Sequence, residues 1–228
     1  MDMKKNVFIF FLLCTSLSVF GQGVIDSLIR ISPCMKIGEK APVFTAVNQN
    51  GGMVSMNKYK GKKNVLLMFY SEQIYSNPNS PLQSEGQAQI KELVASAGNL
   101  KNKDVEVIMV TPDSQKDIFE VIETTGAQFS FVHDNDHQIM DLYKSSVKIP
   151  ANHPEIQGML QNGVKILKKP AEKEYTLPVP VMYLIGRDGV IKGIFNGAKM
   201  DDYRRDIGSE KANVYTWEYI SAKLNAKD

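Results

Sequence analysis

Side chains able to do covalent or metal chemistry are few in this chain and widely spaced. Cys14 and Cys34 are its only thiols, and the thiolate is the form that attacks a disulfide or a peroxide. Ser76 and Ser80 stand in YSNPNSP, but a serine hydroxyl stays protonated near neutral pH. No local G-x-S-x-G pattern activates either one, so both read as loop and helix-cap residues. His133, Asp134, Asp136 and His137 sit close together in FVHDNDH. A turn separates the two histidines, which removes the shared helical face a metal pair would use. Capping of the next helix by the acidic turn is the preferred role. Lys165, Lys168, Lys169 and Lys173 make a locally basic stretch that reads as solvated surface. Met35, Met53, Met56, Met68 and Met109 suit gap-filling in a core.

The elements that must position these groups follow from apolar patterning. Val65 to Phe69 is a short continuous apolar run, the mark of a strand buried on both faces. Ser80-Pro81 offers an N-cap and a first-turn proline for a helix over residues 81 to 98. Ile90, Leu93, Val94 and Ala97 follow the spacing of one helical face. Strand, exposed loop and helix N-terminus together lower a thiol's pKa, because free N–H groups point at the loop. Residues 65 to 85 nevertheless contain no cysteine.

Further along, Val105 to Val110 reads as a second buried strand. Ser114 caps a helix carrying Ile118, Phe119 and Ile122. Phe129 to Val132 is a short strand, and Asp136 to Lys144 a helix with Ile139, Met140 and Tyr143. Val43–Val47 and Met53–Ser55 form a hairpin around Gly51-Gly52, and Asp188-Gly189 turns another. The last helix carries Val214, Trp217, Ile220 and Leu224. Strand–helix alternation of this kind predicts an α/β sheet with covered faces.

Met1 to Gly21 reads as a signal peptide, with Lys4 and Lys5 before the apolar run Val7 to Leu13 and cleavage after Gly21. That run is too short to span a membrane. Cys14 offers a lipid-anchor alternative, disfavoured by the bulk of Leu13 before it. Residues 22–35 then form a lead-in segment, and residues 36–228 a single domain. The formal net charge is +2, which gives no electrostatic case for nucleic acid. Cys34 would be the sole cysteine of the exported chain, unable to make an internal disulfide.

KIGEKAPVFTAVNQNGGMVSMNKYKGKKNVLLMFY, with Gly38, Ala41, Pro42 and Phe44, resembles the opening of the alkyl hydroperoxide reductase/thiol-specific antioxidant (redoxin) family. FSFVHDNDHQIMDLYK resembles that family's strand, acidic turn and helix. The resemblance implies a thioredoxin-like fold: a mixed central sheet flanked by helices, with an N-terminal β-hairpin. Residues 145–178, punctuated by Pro150, Pro154, Pro170 and Pro178, read as an insertion with a short amphipathic piece at Ile156 to Leu160. Family peroxidases carry P-x-x-x-T-x-x-C after this strand, which places Ser71 at the proline position and Pro78 at the cysteine position. A thioredoxin-type C-x-x-C would fall at about Ile74 to Asn77. VPVMYLI resembles the element that begins with a cis-proline, making Val179-Pro180 the counterpart of that bond. The arginine usual in the peroxidases near this point is absent, which tilts the resemblance toward the thioredoxin-like branch.

From the sequence, then, no residue is assigned as a catalytic group. The preferred expectation is an exported, periplasmic redoxin without thiol chemistry. It would bind a protein or peptide of the cell envelope through the remnant of the active-site face: Tyr70, Ile74, Tyr75, Ser76, Asn77, Pro78, Ser80, Val179 and Pro180. No cofactor is implied. The alternative is a thiol–disulfide or peroxide oxidoreductase that uses Cys34 with a partner thiol.

Overall fold

A computed structural model describes residues 34–75, 86–166, 173–196 and 217–225 of the chain. The signal-peptide reading and Cys14 therefore lie outside the described residues. The strands are β1 (Thr45–Val47), β2 (Met53–Ser55), β3 (Asn64–Phe69), β4 (Val105–Thr111) and β5 (Ser130–His133). They are followed by β6 (Ser146–Pro150), β7 (Glu174–Pro178), β8 (Val181–Ile185) and β9 (Ile191–Asn196). The helices are α1 (Glu72–Tyr75), α2 (Gly86–Ala95), α3 (Ala97–Asn102), α4 (Gln115–Thr125), α5 (Gln138–Leu142), α6 (Pro154–Gln161) and α7 (Trp217–Asn225).

Five strands form the central sheet in the order β5-β4-β3-β8-β9. β3, β4 and β5 run parallel, whereas β8 and β9 run antiparallel to their neighbours. Because side chains alternate along a strand, the sheet sorts its residues into two apolar layers. Leu66, Met68, Val107, Met109, Phe131, Met182 and Leu184 point to one face, under α2, α3, α4, α6 and α7. Val65, Leu67, Phe69, Ile108, Val110, Val132, Val181, Tyr183 and Ile185 point to the other, under the β1–β2 hairpin and α5. This is the expected mixed α/β sheet with both faces covered, and it explains why β3 reads as an unbroken apolar run.

Local chemistry accounts for the connections. Gly51 has φ +79°, and the Asn48 side-chain oxygen accepts from the N–H groups of Asn50 and Gly52 to close the β1–β2 turn. Gly189, at φ +78°, donates to the Gly186 carbonyl and turns β8 into β9. Ser114 and Asp117 form a reciprocal capping box at the start of α4.

Several expectations need correction. Phe119 is 46% exposed, so the buried stripe of α4 is Ile118 and Val121, with Ile122 packed at its margin. The helix expected over residues 81 to 98 is described only from Gly86, and α2 gives way to α3 at Ser96. Ser80, Pro81 and Val214 lie outside the described residues. The insertion holds more regular structure than its prolines suggest, since β6 and β7 pair antiparallel along their whole lengths. Pro150 and Pro178 sit at the last positions of their strands, where a missing N–H does little harm.

Candidate functional site: the end of the parallel strands

β3 and β4 end side by side, and the chain leaves β3 through Tyr70 and Ser71 into α1. Tyr70 is 2% exposed and lies in the apolar layer under α2, together with Ile74. Its hydroxyl donates to the Glu72 carboxylate, and the Gln87 amide on α2 donates to that carboxylate's other oxygen. A second carboxylate organises the turn from below. The Ser71 hydroxyl donates to Asp113 Oδ1 at 2.7 Å, while the Glu72 N–H and the Thr111 hydroxyl donate to Oδ2 at 2.5 and 2.7 Å. Burial pushes the Asp113 carboxyl above its usual range, against the pull of these hydrogen bonds and one from the Gln73 N–H. Gln73 also reaches α4, donating to Asp117 Oδ1 at 3.0 Å.

Ser71 therefore stands where the resemblance puts the peroxidase proline, and its hydroxyl is buried and committed to Asp113. Tyr75 belongs to α1. Ser76, Asn77, Pro78 and Ser80 lie outside the described residues.

The other half of the site is the start of β8. Val181 pairs with Phe69, which places Val179 and Pro180 just beyond the end of β3. Val179 is fully buried in the same layer as Tyr70 and Ile74, and its N–H donates to the Ser145 carbonyl at 2.8 Å. Among the described residues no peptide bond is cis, so the Val179–Pro180 bond is trans, contrary to the resemblance. Ile149, Ile156, Met159, Val164 and Leu177 of the insertion join this layer as well. β6, α6 and β7 thus pack on the face that carries Tyr70 and Val179.

Cys34 lies elsewhere. It is half-buried against the opposite apolar layer, where its thiol shares a hydrogen bond with the Tyr183 hydroxyl. That hydroxyl donates to the Tyr143 carbonyl at 3.0 Å and accepts from the Met35 N–H at 3.3 Å and the Ser145 hydroxyl at 3.4 Å. Burial raises the Tyr183 phenol above its usual range, and negative charge on Cys34 would raise it further. The sheet therefore separates Cys34 from Tyr70 and Ile74. The two regions still meet through Ser145, whose hydroxyl faces Tyr183 and whose carbonyl holds Val179.

The acidic turn caps its helix: Asp134 accepts from the N–H groups of Ile139 and Met140 at 3.1 and 2.9 Å. Among the described residues no three His, Cys, Asp or Glu side chains gather as a metal site.

Asp113, Thr111, Glu72 and Gln87 escaped the sequence reading, as did Tyr183 and Ser145. Thr-Pro-Asp at a strand end signals only a stop. Its carboxylate becomes visible as an organiser once β4 is set beside β3.

The sequence profile of the AhpC/TSA family matches residues 37–194. The chain belongs to the AhpC/TSA family. A Haemophilus influenzae protein described as a Bcp-type peroxiredoxin is 27% identical over 173 residues, covering 76% of this chain and 94% of that one. Peroxiredoxin Bcp of Escherichia coli K12 is 24% identical over 169 residues, covering 74% and 90%. Among solved structures, peroxidoxin BcpB of Mycobacterium tuberculosis superposes with a TM-score of 0.55 at 13% identity, covering 85% of this chain and 99% of that one. The bacterioferritin comigratory protein of Xanthomonas campestris gives 0.53 at 12% identity, covering 80% and 92%. These structural likenesses establish the thioredoxin-like fold of this AhpC/TSA member.

Proposed function

We propose that this AhpC/TSA protein is a peroxide- or disulfide-reducing redoxin that uses Cys34 as its thiol. The observation that carries this reading is the family match over residues 37–194, with peroxiredoxin relatives covered over nine-tenths of their length. It favours the oxidoreductase class over the binding module expected from the residues alone. Cys34 is the only cysteine among the described residues, and it is partly accessible beside the Tyr183 phenol.

The chemistry needs an external thiol. The Cys34 thiolate attacks the outer oxygen of a hydroperoxide, the O–O bond breaks, and the alkoxide takes a proton and leaves as the alcohol. Cys34 becomes a sulfenic acid. One external thiol converts it to a mixed disulfide with loss of water. A second thiol restores Cys34 and carries off the disulfide. The reading extends to an exported chain cleaved after Gly21, working in the cell envelope.

A second reading rests on one specific observation. The loop that should bear the family's thiol has none, and its Ser71 hydroxyl is held by Asp113. On that reading the chain binds a protein or peptide around the partly exposed Pro180, whereas Tyr70, Ile74 and Val179 are buried and only support that surface from within.

Peroxide consumption and disulfide reduction, each driven by a small dithiol, separate the two. The first reading expects turnover by the folded protein that disappears in Cys34→Ser. Background rates in both proteins would sink it and leave the binding module. Equal turnover in both would remove Cys34 from the chemistry.

A further inference from the structure

At the opposite end of β3 lies a cavity of about 150 Å³ between the 3-10 turn Met56–Lys58 and the β8–β9 turn. The Val65–Ile185 pair marks this end, four pairs away from Phe69–Val181. At strand spacing that is about 13 Å from the redox-loop end. Its floor is apolar, since Met56, Val65 and Ile185 are all under a tenth exposed. Ala41 and Val43 line it too, and Val43 is 55% exposed. A cavity of similar volume in another protein accepts benzene.

The charges at its mouth do not cancel. Lys63 is held by Glu106 at 2.7 Å. Asp188 is held by Lys192 at 3.2 Å and also accepts the Val190 N–H. Among the described residues Lys40 and Lys60, both exposed on the rim, are in no ion pair. Tyr59 adds a phenol to the lining. Burial, with help from Glu106 and against Lys63, pushes its ionisation upward, so at neutral pH it remains a hydrogen-bond donor.

We infer that this cavity is a binding site for a small carboxylate with an apolar body, of the size of benzoate. The body sits on Met56, Val65 and Ile185, and the carboxylate faces Lys40, Lys60 and the Tyr59 hydroxyl. An apolar pocket with a few convergent polar groups is the usual form of a small-molecule site. The inference is independent of whether Cys34 is a working thiol.

The test is a titration of the full protein with benzoate, benzyl alcohol and inorganic phosphate, followed by amide NMR shifts. Benzoate is expected to give saturable shifts at Val65, Ile185 and Met56, with benzyl alcohol weaker and phosphate silent there. Lys40→Ala/Lys60→Ala, which changes two exposed side chains, should weaken benzoate about tenfold. No saturable shift with benzoate would overturn the assignment. So would unchanged affinity in the variant, or phosphate binding as well as benzoate does.

Discussion

Asp113 carries more of the candidate site than any other single residue. Removing its carboxylate in Asp113→Ala strands the Ser71 and Thr111 hydroxyls and the Glu72 N–H in a buried place. The expected loss is about 3 kcal/mol in urea unfolding. Its pH behaviour has a definite sign. The folded state raises this carboxyl's pKa, so it holds the proton more readily than the unfolded chain does. The stability it contributes is therefore greatest in acid and declines as pH rises from the ordinary carboxyl range through the raised value. Against Asp113→Asn, which does not titrate, the unaltered protein should lose relative stability over that window and then level off. A difference that grows with pH would contradict the assignment. At Tyr183 the hydroxyl ties together Met35, Tyr143 and Ser145, so Tyr183→Phe should cost about 1–3 kcal/mol by thermal unfolding. A cost near zero would mean the knot is not stabilising.

Among the elements, the β5 edge shows how the sheet is finished. Gln49, just past β1, imitates a neighbouring strand. Its N–H donates to the Phe131 carbonyl at 2.9 Å, its side-chain amide donates to the Phe129 carbonyl at 3.0 Å, and its side-chain oxygen accepts the Phe131 N–H at 2.8 Å. An open strand edge invites pairing with another chain. Gln49→Ala should speed hydrogen exchange at the Phe131 amide about tenfold, equivalent to about 1.4 kcal/mol. Unchanged exchange would show that another group protects the edge. Much of this architecture was legible in the sequence. The runs Val65–Phe69 and Val105–Val110 announce buried strands, Gly51-Gly52 and Asp188-Gly189 announce turns, and Ser114 announces a cap. What escaped depends on partners distant in sequence. Nothing near Gln49 shows that it faces Phe131, nothing near Asp113 shows that it meets Ser71, and β6 recognises β7 only across the insertion. Phe119 illustrates the converse, since a helical period marks a face only to within a residue or so.

For the whole molecule, the sheet acts as a partition. Tyr70, Ile74, Val179 and the insertion share one layer, while Cys34 and Tyr183 share the other. The reducing chemistry proposed for Cys34 would run from that layer, while Asp113 fixes Ser71 and Glu72 at the end of β3. The most direct test follows the thiol itself. One equivalent of hydroperoxide is added to the reduced protein, and the free-thiol titre and the mass of the Cys34 peptide are followed in time. Loss of the thiol faster than in free cysteine, with one oxygen added at Cys34 and full recovery on adding a small thiol, is the predicted result. A thiol titre that falls no faster than that of free cysteine would contradict the account.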